Sequence, residues 1–191
     1  MCLNEVGEWP NKKGVLYAKV DVPEFGEVTL KDVVIMSTRW WSDFMSGISV
    51  IFGDKALRPI LYYSAYRLMK QHNQRGLIRK LSEYADLDSL EVREKMFRVA
   101  AEVFACLGFG RIEDVRVEGG HIKVTVRESF EARGRKSSAP VCHFVAGVLA
   151  ALIEDIYGLR IGPIREDRCS AMGADSCLFV AELMEERPDE R

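Results

Sequence analysis

The chain has 191 residues, 48% hydrophobic and 29% charged, with 27 basic against 29 acidic side chains and a formal net charge of −2. That describes one ordinary globular domain with room for a sizeable core. The near-neutral balance gives no electrostatic reason to expect nucleic acid or an anionic membrane as the partner.

The longest apolar run, Phe144 to Ile153, is ten residues, against about 20 for a membrane-spanning helix. Met1-Cys2-Leu3-Asn4-Glu5 lacks a basic segment followed by an apolar one, so no signal peptide is expected and the chain reads as cytoplasmic. The five cysteines are Cys2, Cys106, Cys142, Cys169 and Cys177. An odd count without an export signal makes a disulfide framework the poorer reading and reduced thiols the better one.

Residues 1–13 are polar and read as a loose arm. Val15 to Val22 is rich in β-formers, and the run Val28 to Met36 after Pro23 and Gly26 suggests a hairpin or a lead into a helix. Ser37 or Thr38 caps a helix through about Phe52, with Trp41, Phe44, Met45 and Ile48 at helical spacing. Asp54 opens a second helix, with Pro59 placed in its first turn, where a missing N–H costs little. Gly76 interrupts it, and residues 77–85 read as another short helix. Asp88 or Ser89 caps a helix to about Leu107, and Cys106 reads as one of its packing residues. Gly108 and Gly110 stop it.

Residues 111–127 alternate apolar and polar about Gly119-Gly120, the pattern of a two-residue hairpin. Pro140 starts the last helix, to about Tyr157, with Gly158 ending it. Residues 159–168 and 176–183 form a final hairpin that bends at Met172 to Asp175. Hairpins separated by a helix predict an α+β architecture, a twisted antiparallel sheet with helices packed on it.

Three cysteines fall in the last 50 residues. Cys169 ends one strand of the final hairpin, Cys177 starts the next, and Glu166 lies three residues before Cys169. Cys142 enters from the first turn of the last helix, where the helix end favours a thiolate. Three soft thiolates and one carboxylate suit tetrahedral zinc, and with all four positions filled by protein the metal is structural. Arg165 and Arg168 are placed to offset the charge. His143 is an alternative to Cys142 as first ligand, but adjacent helical positions point about 100° apart and do not bind together. Cysteines are also among the most often buried residues, and Cys-x7-Cys is not a standard zinc spacing, so simple packing stays open on spacing alone.

The segments Val141-Cys142-His143-Phe144-Val145-Ala146-Gly147 and Glu166 to Phe179 resemble the 4-vinyl reductase domain family. That family carries a C-[HT]-F-x-x-G helix start and an E-x-x-C-x-x-x-G-x-x-x-C-x-F ending. Tyr62-Tyr63-Ser64-Ala65-Tyr66 and Ser129-Phe130-Glu131-Ala132 fit its small-residue helix and S-F-E-A strand end. The resemblance runs from about Val28 to Leu183. It divides the chain into an N-terminal extension over 1–27 (a strand or dimerisation arm), a ligand-binding domain over 28–185 and a charged tail over 186–191.

The resemblance implies a fold shared with TRAPP subunits and haem nitric-oxide sensor domains, and a small hydrophobic ligand, either a hydrocarbon or an aromatic. It also implies a structural zinc held by Cys142, Glu166, Cys169 and Cys177, and a homodimer. The family name raises two alternatives, a tetrapyrrole-pathway reductase or accessory protein and a TRAPP-like interaction subunit. Pocket candidates are Trp41, Phe44, Tyr62, Tyr66 and Phe130, since ligand pockets are concave and mainly apolar. Trp40 and Trp41 are adjacent and do not both face inward from one helix. No phosphate loop, dinucleotide fingerprint or nucleophile elbow is present, so the chain reads as a binding protein and not an enzyme.

Overall fold

The computed structural model describes residues 3–8, 10, 13, 16–22, 26–31, 37–75 and 89–184. The expected helix over 77–85 and the charged tail lie outside these. At the N-terminus, β1 (Leu3–Glu8), β2 (Leu16–Val22) and β3 (Gly26–Lys31) form an antiparallel sheet in the order β1-β2-β3. The arm expected to be loose therefore contains a strand. Charge pairing across the sheet, not apolar alternation, marks it: Lys19 lies 3.0 Å from Glu5 on β1 and 3.3 Å from Glu27 on β3. The boundary drawn between residues 27 and 28 falls inside β3.

Helix α1 (Thr38–Phe52) starts where Ser37 accepts the amide of Trp40 at 3.1 Å, and it stops at Gly53, whose φ of 75° favours glycine. Helix α2 (Asp54–Arg75) follows at once. Its first turn closes on Gly53, whose carbonyl accepts from Ala56 and Leu57. Pro59 is thus the sixth residue, in the second turn and not the first, on an exposed side where the unmatched carbonyl meets water. Helix α3 (Leu90–Cys106) buries Met96, Phe97, Val99, Ala100 and Phe104. Cys106 at its end is disulfide-bonded. This corrects the reading of Cys106 as a reduced packing residue: the helix end carries its sulfur out of the core stripe and into a covalent link.

The hairpin forms as its alternation predicts. β4 (Arg111–Glu118) and β5 (His121–Arg127) join through Gly119 and Gly120, with φ of 58° and 74°. Two consecutive positive φ values make the tight turn whose twist matches the strands. β5 then pairs with β7 (Cys177–Glu182), and β7 with β6 (Arg165–Arg168), giving an antiparallel sheet in the order β4-β5-β7-β6. Its buried face sets Ile122 beside Ala181, Val124 beside Phe179 and Val126 beside Cys177.

Helix α4 (His143–Tyr157) is apolar on nearly every side, and all residues from Val145 to Ile153 are buried, with Ile156. It packs between the sheet and α2, and the crossing with α2 is set by Gly147. A Cβ there would sit 2.2 Å from the Tyr62 carbonyl oxygen and 3.0 Å from Ala65 Cβ. At the far end of the same contact, Tyr66 donates to Glu154 at 2.5 Å, and Lys70 pairs with Asp155 at 2.5 Å and Glu154 at 3.1 Å.

Gly147→Ala tests this crossing. Ala favours a helix over Gly by about 1 kcal/mol, but backbone does not give way easily to so close a contact, and overpacking costs about 1–3 kcal/mol or more. The net expectation is a loss of stability on the order of 2 kcal/mol, a fall in Tm of roughly 4–8 °C by thermal denaturation. An unchanged or raised Tm would refute the close crossing.

Candidate metal centre

Because α4 is sunk in the core, its N-terminus is sunk too. Its first-turn amides need acceptors that water does not supply. Cys142 is the N-cap, at φ −89° and ψ 54°, and its side chain makes no capping bond. The helix therefore starts three residues after Pro140, later than the sequence suggests. The cause lies in what surrounds Cys142: its amide donates to Glu166 Oε2 at 2.8 Å, and its sulfur turns to the other cysteines.

Cys142 Sγ lies 3.7 Å from Cys177 Sγ and 4.0 Å from Cys169 Sγ. β6 carries Glu166 and leads into Cys169, a short 3-10 turn (Ser170–Met172) follows, and Gly173, at φ 98°, brings the chain back to Cys177 at the start of β7. The ligand atoms of Cys142, Glu166, Cys169 and Cys177 all lie within 4.8 Å of one another. The three cysteines are free and 0–1% exposed. Of the two residues weighed as first ligand, Cys142 stands in this group and His143 outside it.

The donor set fits a tetrahedral ion. Zn–S bonds of about 2.3 Å at tetrahedral angles place sulfurs about 3.8 Å apart, and the observed separations bracket that value. Glu166 Oε1 is buried without a hydrogen-bond partner, an orphaned acceptor that a cation would satisfy. In the absence of a cation these groups suppress one another's charge. Hydrogen bonds to Cys169 and Cys177, then burial, drive the Cys142 thiol far up, while the bonds it gives lower Cys177. Burial, then the bond with Cys169, pushes Glu166 up to about 7. A bound divalent ion reverses this logic by favouring every ionised ligand. Arg165 and Arg168 do not serve as counter-charges: Arg165 pairs with Asp167 at 2.8 Å and Arg168 donates to Ser176 at 3.3 Å.

The pocket candidates separate into two groups. Trp41 turns inward to Phe130 (ring centroids 5.3 Å apart) and Phe144 (5.9 Å), with Phe109 beside them, while Trp40 is exposed and stacks on Phe44. The Trp41 indole N–H is buried without a partner. Tyr62 instead lines a groove of about 350 Å³ with Arg58, Tyr63, His143, Arg165 and Glu166. Trp41, Phe44, Tyr66 and Phe130 do not line that groove, and Tyr66 is committed to Glu154. Five candidates at helical spacing thus fall on different faces of the α1–α2–α4 packing and build no single pocket.

Two residues of the Ser129-Phe130-Glu131-Ala132 motif matter more than their spacing signals. Ser129 is fully buried with its hydroxyl 3.2 Å from Cys142 Sγ, and Glu131 accepts from the Val145 amide at 2.8 Å. An acid followed by a small residue in a loop carries no periodicity, so only the motif pointed to them.

Burial, then the charge of Arg58, lowers His143 to about 4. The unfolded imidazole titrates near 6.5, so between about pH 6.5 and 4 the unfolded chain binds the extra proton. Stability contributed by neutral His143 is present above pH 6.5 and lost as pH falls through that window. NMR titration should find this imidazole neutral at pH 5.5, and His143→Phe should flatten the acid limb of stability. An imidazole that titrates near 6.5 in the folded protein would contradict the burial.

Residues 122–183 match the family model of the 4-vinyl reductase domain. The phenol-responsive sensory domain of the transcription activator PoxR, solved with phenol, superposes with a TM-score of 0.66. It is 16% identical over 98% of this chain and 88% of that one. A trafficking protein particle complex subunit 3 from Naegleria fowleri, covalently bound to palmitic acid, gives 0.55 at 12% identity over 80% and 95%. A vinyl-4-reductase family protein from Methanocaldococcus jannaschii gives 0.50 at 16% over 81% and 85%. At these identities the likeness is one of fold. The uncharacterized protein MJ0855 of the same organism is 33% identical over 61 residues, 31% of this chain, and the chain spans 27% of that relative's length.

Proposed function

The chain carries a 4-vinyl reductase domain over residues 122–183, and from that premise we propose that it is a binding module for a small hydrophobic or aromatic molecule, stabilised by a structural zinc ion. The observation that carries the metal half is the buried convergence of Cys142, Glu166, Cys169 and Cys177 within 4.8 Å. The ion would clamp the start of α4 to the β6–β7 turn, joining residues far apart in sequence. Four protein ligands leave no open position for a reactive water, which favours a binding role over catalysis.

The ligand half is supported by the domain match and by the shared fold with two proteins solved holding phenol and palmitate. The unpartnered Trp41 N–H among aromatic rings and the groove along Tyr62 offer two places with apolar walls and polar handles. Phenol is the first probe to titrate, by calorimetry, against a polar control of equal size.

Native mass spectrometry should show one zinc per chain. Cys169→Ser and Cys177→Ser should each lose it and melt earlier. A structural zinc contributes free energy to folding, and losing about 3 kcal/mol of it lowers Tm by roughly 6–12 °C. Either variant keeping its metal, or keeping wild-type stability under chelator, refutes the site.

A homodimer is the second element of the proposal. Val50, Ile51 and Phe52 at the end of α1 are 87%, 74% and 61% exposed, and Ile60 of α2 is also exposed. A contiguous apolar patch of this kind marks an association surface. Light scattering should return a dimer mass, and Ile51→Glu a monomer; a monomeric wild type removes this element.

A further inference from the structure

A metal site depends on what orients its ligands as much as on the ligands themselves. Of the four candidate ligands, Cys142 has the least support from its own backbone. It precedes the helix, has no side-chain cap, and its dihedrals are neither helical nor extended. Two buried polar side chains from the loop after β5 hold it in place. Ser129 is 0% exposed, and its Oγ lies 3.2 Å from Cys142 Sγ. Glu131 is 1% exposed, and its Oε2 accepts from the Val145 amide at 2.8 Å, with the Phe144 amide as a second donor.

An N-cap side chain normally bonds to the amide two or three residues on. Cys142 leaves that duty undone because its sulfur faces the other thiols. Glu131 performs it from another segment. Burying a carboxylate costs free energy unless it is well bonded, and burial pushes Glu131 up to about 8. Its carboxyl is turned to the first turn of α4, where both amide donors lie.

We propose that Ser129 and Glu131 are the positioning residues of the metal centre, the hydroxyl donating to the Cys142 sulfur and the carboxyl capping the helix that Cys142 begins. This rests on the reading of the cluster as a metal site. The two contacts play different parts. Ser129 acts on the electron density and direction of one sulfur. Glu131 acts on the backbone that carries it. Phe130 between them packs on Trp41 and Phe144, so the same tripeptide borders the aromatic cluster.

The test uses the full chain, zinc affinity by competition with a chromophoric chelator, and cobalt(II) substitution read by its sulfur-to-metal absorption. Ser129→Ala should weaken zinc about 10–100-fold, the range for lost ligand-orienting bonds, and should shift the cobalt band while circular dichroism of the metal-free protein stays unchanged. Glu131→Ala should weaken zinc comparably, and Glu131→Gln, whose amide oxygen accepts from the same backbone amides, should restore binding. Where Glu131→Ala fails to fold, Ser129→Ala and Glu131→Gln carry the test. Zinc affinity and cobalt spectra equal to wild type in Ser129→Ala would overturn the proposal alone. A folded wild-type protein that takes up neither metal would overturn it together with the metal reading.

Discussion

The burial of α4 is the constraint on which the rest depends. A helix that is apolar all round belongs in a core, and here α2 covers one side while β5 and β7 cover the other. Gly147 and Ala65 make the α2 crossing close enough to exclude solvent from it. The cost appears at the helix N-terminus, where free amides face protein and not water. Glu131 and Glu166, both remote in sequence, supply the acceptors. The polar site exists where it does because a fully buried helix has to begin somewhere.

That beginning joins two chemically different neighbourhoods. Cys142 points to the thiols of the β6–β7 turn, while Phe144, two residues on, enters the ring cluster of Trp41, Phe109 and Phe130. Soft metal ligands and an apolar aromatic wall are thus separated by a single helical turn. A change in how rings pack around Phe144 acts on the same turn whose amides Glu131 holds. Coupling between an aromatic occupant and the metal centre needs no long path in this arrangement, only a rigid first turn of α4.

Much of this is legible in the sequence where periodicity is strong. α1, α3 and α4 end within a few residues of where their apolar stripes and glycines predict, and the Gly119-Gly120 hairpin forms as its alternation requires. The four candidate ligands come together as the thiol spacing and the family resemblance implied. What escaped has physical reasons. β1 carries Glu5–Lys19 pairing across strands, which a search for apolar alternation does not detect. The start of α4 shifts because Cys142 is recruited by distant sulfurs, a tertiary override of local capping. The aromatic candidates share a helical period but not a face in three dimensions. The Cys106 disulfide is a pairing that an odd cysteine count obscured.

The electrostatics of the interior point the same way as the sulfur geometry. Among the described residues, the buried polar or charged side chains are Ser129, Glu131 and Ser176, none of them cationic. Near the three thiols stand two carboxyls, and burial pushes both toward the protonated form, Glu166 to about 7 and Glu131 to about 8. The flanking arginines are spent on Asp167 and Ser176. An interior with this many acidic groups and no buried base among the described residues stays neutral only by keeping its protons, and the unpartnered Glu166 Oε1 shows that even then one acceptor goes unmet. A divalent cation would supply at one point both the positive charge and the missing partner. The site's electrostatic deficit and its tetrahedral spacing are independent observations, and one ion answers both.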